Sequence, residues 1–188
     1  VASSEIHSVQ TVSGNQPRTR RLAEAAAQTW LPGTPLAFNA SGFVIPWAGA
    51  LLTTVVGSII GISKEGSANL TTAGVAQQQT FGSVPNQAAA VNISRPFFND
   101  GLTGIETADP DTIFLGQVGP AQTAVQALVG TQLGMTKDTD NHWFVDTAKV
   151  TIGTNTCVYI VKLDPNDQSA TPRGVYFRFV VGNVQPVA

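Results

Sequence analysis

The chain has 188 residues, 43% of them apolar, with 10 Lys and Arg against 12 Asp and Glu, which is room for one globular domain or two small ones. Charged residues make up 12%, against about a quarter in an ordinary soluble chain, and 32 Ser and Thr with 23 Asn and Gln supply the missing polarity; so neutral a surface has no basic field and argues against nucleic-acid binding as the main task. A single cysteine, Cys157, excludes an intrachain disulfide framework and any multi-cysteine zinc site.

Residues 1 to 5 hold no basic segment leading into an apolar one, so no secretory signal is expected. Residues 5 to 12 read as a strand that Gly14, Asn15, Gln16 and Pro17 break, which closes an N-terminal arm over 1 to 21. Arg18, Arg20 and Arg21 form the one basic cluster; a strand continuing through Leu22 puts Arg18 and Arg20 on one side. The cluster has two readings: a solvated edge that discourages strand pairing, or a contact with an acidic partner. A small β-unit over 22 to 65 follows, with a strand at 36 to 38, an Asn-Ala-Ser-Gly turn, a strand at 43 to 45 and a strand at 55 to 63.

No charge interrupts residues 25 to 63, and 44 to 63 is long enough for a membrane span. Pro46, the Thr53-Thr54 pair, the β-branched residues at 55, 56, 59, 60 and 62 and the lack of flanking Lys or Arg favour two buried strands around a turn instead. Residues 66 to 94 are 29 consecutive uncharged positions with no sustained period. A loop of that length is either disordered or laid on a partner. Together with the turn-rich residues up to 111 it reads as an extended clamp whose Phe81, Val84, Phe97 and Phe98 are its apolar contacts.

A C-terminal barrel-like domain is expected over 112 to 188. Its strands are read at 113 to 118, 133 to 137, 142 to 146, 149 to 153, 157 to 163 and 174 to 181. Residues 121 to 129 carry a one-sided apolar stripe after Gly-Pro and predict the one short helix. In the last strand, alternation places Val175, Phe177 and Phe179 on one face and Tyr176, Arg178 and Val180 on the other. The fold class is therefore mainly β: two small units, barrel- or sandwich-like, one short helix and a long linking segment.

The search for chemistry returns no catalytic, cofactor or metal set. His7 and His142 are the only histidines, and no G-x-S-x-G elbow accompanies them. Asp138, Asp140 and Asn141 start like a calcium loop, but Trp143 stands where Gly is required and Lys149 where the closing Glu belongs. Asp164 to Asp167 fails in the same way, and no spacing rule selects Glu106, Asp109 and Asp111. Asx turns account for all three groups. No phosphate loop is present. Trp30, Trp47 and Trp143 are the residues a sugar-stacking platform would need; the competing reading puts them in a core and at an interface.

The phrases FGSVPNQAAAVNI at 81 to 93, GNQPRTRRL at 14 to 22, LPGTP at 31 to 35, GISKE at 61 to 65 and GMTKD with Trp143, Val145 and Asp146 resemble head decoration, or cement, proteins of tailed bacteriophages. The resemblance implies a non-enzymatic virion protein, made in the bacterial host cytoplasm, on the outside of a capsid. Its implied partners are the major capsid protein and further copies of itself, a trimer before a dimer, with neither nucleic acid nor membrane. The contacts would fall on Arg18, Arg20 and Arg21 for polar groups and on Phe81, Val84, Phe97 and Phe98 for apolar ones. A carbohydrate-binding β-module, or another tail- or fibre-associated virion protein, is the alternative.

Overall fold

The computed structural model describes residues 6–14, 16–49, 58–67, 101–152 and 156–180. It is mainly β, in two antiparallel sheets. In chain order the strands are β1 (His7–Thr11), β2 (Thr19–Ala23), β3 (Pro35–Phe38), β4 (Val44–Pro46), β5 (Ile59–Ser63), β6 (Leu102–Thr107), β7 (Thr112–Gln117), β8 (Gln132–Lys137), β9 (Trp143–Asp146), β10 (Val158–Leu163) and β11 (Gly174–Phe179). One sheet runs β1-β7-β11-β10-β8-β9 and the other β2-β6-β5-β3-β4.

Each sheet curls back on itself. In the first, Val118 just beyond β7 bridges Val145 of β9, and the Gly119 N–H donates to the Val145 carbonyl at 3.1 Å. That contact closes five strands into a small barrel and leaves β1 as an edge on β7. In the second, Glu24 bridges Val44 of β4, and the Ala25 N–H donates to the Val44 carbonyl at 3.0 Å. Closure satisfies backbone groups that an open edge would leave to water or to another chain.

The two sheets are stitched by a pair of antiparallel crossings. β1 passes to β2 while β6 passes to β7, and they stay bonded: Thr11 faces Thr112, Val12 N–H donates to the Asp111 carbonyl at 2.7 Å, and Thr107 N–H donates to the Arg18 carbonyl at 3.0 Å. An extra residue, Val9, interrupts the β1–β7 register. Such a bulge twists an edge strand away from further pairing.

Alternation explains the cores. In β11, Val175, Phe177 and Phe179 are buried against Phe114, with ring centroids 5.3 to 5.9 Å apart. The opposite face pairs cations with rings: Lys162 Nζ lies 4.4 Å from the Tyr176 ring centre, and Arg178 lies 5.1 Å from that of Tyr159. A smaller core of Trp30, Leu36, Val44, Ile60 and Ile105 fills the second sheet's curl. A register shift opposite Leu36 and Ala37 makes Ile60 the extra residue, so that Ile59 and Ile62 reach the other face. There they join Ala37, Trp47 and Ala108 in one continuous core with the first sheet.

Two expected elements are absent. Residues 121 to 129 form only a 3-10 turn at Gln126–Leu128. Ala124 N–H donates to the Pro172 carbonyl at 2.7 Å, Val125 is extended, and of the stripe only Ala124 is fully buried. The segment is held extended by that bond, and Leu128 and Val129 pack against the core from the turn. Residues 149 to 152 are likewise no strand: Lys149 takes the Gly134 N–H and donates its own to Asp146, and Val150 and Ile152 stay exposed. β6, conversely, lies within the stretch read as extended and sits centrally between β2 and β5.

Candidate interaction surfaces

The three arginines are used differently. Arg21, exposed on β2, places Nη1 3.8 Å from Glu65 Oε1 and donates from Nη2 to the Leu102 carbonyl at 3.3 Å. The same Glu65 oxygen accepts the Gly104 N–H at 2.7 Å. Arg20 stands opposite Ile105 in the register, and Leu22, two residues on, packs on the Trp30 core. Arg18 precedes the strand and lines a cavity of about 410 Å³ with Ser13, Gln16, Asp109 and Asp111. There Ser13 Oγ donates to Asp111 Oδ2 at 2.7 Å, and Asp109 Oδ2 accepts from Thr107 Oγ1 of β6 at 3.0 Å. The basic cluster is thus spread over a clamp, a strand face and a polar hollow. Phe81, Val84, Phe97 and Phe98, the apolar contacts expected from the sequence, lie outside the described residues.

Most other ionisable groups near turns hold backbone. Asp138 Oδ1 accepts the N–H groups of Asp140 and His142, both at 2.9 Å, and its Oδ2 lies 3.4 Å from His142 Nδ1. The His142 N–H, first among the causes, holds the Asp138 carboxyl below its ordinary range. Ligand atoms of Asp138, Asp140 and His142 lie within 4.8 Å of one another, but the arrangement is that of an Asx turn closing the β8–β9 hairpin. Asp167 is engaged more fully: Oδ2 accepts the N–H groups of Arg173 and Gly174 at 2.6 and 2.8 Å, and Oδ1 accepts Ser169 Oγ at 2.7 Å. These bonds, that from Arg173 foremost, hold its carboxyl far below the carboxylate range.

Arg173 then donates Nε and Nη2 to the Val118 carbonyl at 3.0 and 2.7 Å, beside the barrel's closing bridge. Lys149 Nζ donates to the Met135 carbonyl at 2.7 Å. Desolvation pushes the buried Cys157 thiol up to about 12, which removes its nucleophilic form at neutral pH.

All three tryptophans are buried, so they make no exposed platform for a sugar. Among the described residues, the exposed large apolar side chains include Val150 and Ile152, 59% and 71% exposed. They border a hollow of about 450 Å³ that Leu128, Leu133 and Tyr159 also line. Sequence reasoning missed this surface: K-V-T-I-G alternates like a strand, but Lys149 is held in a turn with Asp146, and Val150 and Ile152 are exposed. No helix among the described residues is long and apolar enough to cross a membrane. No family model matches the chain, and neither a curated protein nor a solved structure matches it.

Proposed function

We propose that the protein is a structural, non-enzymatic component of a phage virion that decorates the outside of the head and bridges major capsid protein subunits. The observation that carries the reading is how its scarce charges are used. Asp138, Asp167, Glu65, Lys149 and Arg173 each hold backbone groups in place, while neutral and apolar residues such as Val150 and Ile152 face outward. Interface cores are depleted of charge in the same way. The resemblance of the phrases at 14 to 22, 31 to 35, 61 to 65 and 81 to 93 to those of decoration proteins supports the same reading.

Such a protein stabilises a shell by linkage, because it binds the assembled form in preference to free subunits. At a free concentration one hundred times its dissociation constant, each site contributes about 2.7 kcal/mol to the assembled state. The test is co-sedimentation of the purified chain with expanded heads that lack it, followed by heating. Saturable binding with raised thermal resistance is the expected result. Heads that neither bind the chain nor gain resistance would overturn the assignment.

A further inference from the structure

We infer that β1 is an exchangeable strand, and that the edge of β7 it occupies also accepts β1 of a second copy of this chain. Among the described strands, β1 alone lies outside both closures: the bridge from Val118 to Val145 closes β7, β11, β10, β8 and β9 without it, and β7 is its one neighbour in the sheet. His7, Val9 and Gln10 are exposed. Pairing on one flank and few buried positions mark a segment that opens at far less cost than the whole fold. The turn that follows has Gly14 at a φ of +79°, where an added Cβ would meet no atom within 4 Å. Glycine there lets the chain either turn back or run on.

The seat selects its occupant. Ile6, just before β1, is 1% exposed and enters the main core over Gly116 of β7, where an added Cβ would fall 3.3 Å from Ile6 Cγ1 and 2.9 Å from Phe177 Cε1. Glu106 accepts the Ser8 N–H, and the extra residue Val9 is absorbed between the Ser8–Phe114 and Gln10–Ile113 pairs. A strand of another sequence leaves the Ile6 recess, the Glu106 carboxylate or the bulge unmatched. β1 of a second copy matches all three, because it makes the contacts already present within one chain. Exchange breaks and remakes the same bonds, so its balance is set by concentration. A short connection holds a strand at an effective concentration on the order of millimolar, and copies crowded to that level compete with it. Reciprocal exchange closes a dimer, whereas donation in one direction round a ring joins three or more copies head to tail. The inference is independent of what the copies attach to.

Mixing two full-length variants tests it. His7 and Leu115 face each other in the β1–β7 register, and Cα atoms so paired stand within the span of a disulfide. A His7→Cys chain and a Leu115→Cys chain, mixed at about 1 mM under mild oxidation, are expected to give a disulfide-linked heterodimer identified by its mass. In a parallel sample the buried Cys157 should stay closed to a thiol reagent over the same time. Ile6→Asp on the His7→Cys chain should lower the yield several-fold, because the donated strand no longer fits its seat. On the Leu115→Cys chain it should raise the yield, because that chain's own strand vacates the edge. Absence of the heterodimer would overturn the inference. So would a heterodimer that forms only as fast as Cys157 becomes reactive, since β1 would then leave only with global unfolding. Equal yield when the exposed Val150→Cys replaces His7→Cys would reduce the link to chance collision and overturn it as well, as would an Ile6→Asp effect of the same sign on both chains.

Discussion

The indole of Trp47, carried by the segment after β4 of one sheet, lies against that of Trp143 at the start of β9 in the other, with ring centroids 5.3 Å apart and planes tilted by 33°. Both residues are buried, and they join the two curled sheets into one continuous core. Truncation of either to Ala is expected to destabilise the whole chain by about 3 to 5 kcal/mol, the usual cost for a buried Trp. Because the core is shared, urea unfolding should remain a single transition, with fluorescence and circular dichroism coincident. A double-mutant cycle on the pair should return a coupling of about 0.5 to 1.5 kcal/mol beyond the separate losses. Two separated transitions in the wild type would show that the pair does not unite the sheets.

Gly61 of β5 marks the closest approach within the second sheet. A Cβ there would fall 2.3 Å from the Glu106 carbonyl oxygen and 2.4 Å from Ile105 Cγ2, distances that no side chain tolerates. The atom in the way is backbone of the central strand β6, so a rotamer change cannot relieve it. Gly61→Ala should cost about 1 to 3 kcal/mol, in the range of overpacked cores. A denaturation midpoint equal to the wild type would show that β5 and β6 can separate freely at this point.

Much of the first sheet is legible in the sequence because its strands alternate cleanly. Val175, Phe177 and Phe179 face inward as period 2 demands; in the second sheet the hairpin at 35 to 46 is announced by its Asn39 turn, whose Oδ1 accepts the Ser41 and Phe43 N–H groups. The two expectations that failed have local reasons. The stripe over 121 to 129 is interrupted by the extended Val125 and the Ala124–Pro172 backbone bond, and over 149 to 152 Lys149 is drawn into a turn with Asp146 while its carbonyl takes the Gly134 N–H of β8. β6 escapes a sequence reading because its buried positions include Thr103, Gly104, Glu106 and Thr107, which no hydrophobicity pattern marks as interior. The apolar hollow was illegible for a further reason. Its described lining comes from three stretches of chain, 128 to 133, 147 to 152 and Tyr159, which only the fold brings together.

Glu106 ties the edge strand to the sheet crossing. Its Oε2 accepts the Ser8 N–H of β1, and Lys64 Nζ lies 3.7 Å from Oε1. Replacement by Leu leaves the Ser8 donor without that acceptor and the Lys64 ammonium without its counter-charge. A loss of about 1 to 3 kcal/mol is expected, as for a hydrogen bond to a charged group. Hydrogen exchange gives a sharper readout, since the Ser8 amide should lose protection far more than the amides of β10. Unchanged protection at Ser8 in Glu106→Leu would mean that the arm is held without this carboxylate.

Asp167 makes the acid limb of the stability profile predictable in sign. Its carboxylate accepts backbone N–H groups from Arg173 and Gly174 and the Ser169 hydroxyl, so the folded chain holds it ionised to a lower pH than the ordinary value of 3.8. A group with a depressed folded pKa contributes its full stabilisation above the unfolded value and loses it as pH falls through the folded one. The thermal midpoint should therefore hold from neutrality down to about pH 4 as far as this group is concerned, and then fall. Asp167→Asn keeps an acceptor but no charge. It should lower the midpoint at neutral pH, by an amount corresponding to about 1 kcal/mol for weakened hydrogen bonds. It should also flatten the decline below pH 4, because the variant has no proton to take up there. The loop it pins ends in Arg173, whose guanidinium reaches the Val118 carbonyl beside the bridge that closes the barrel. Loosening it should therefore also raise exchange at the Gly119 amide, which bonds Val145 across that closure. An acid limb of the same slope in Asp167→Asn and wild type would assign the acid sensitivity to other carboxylates.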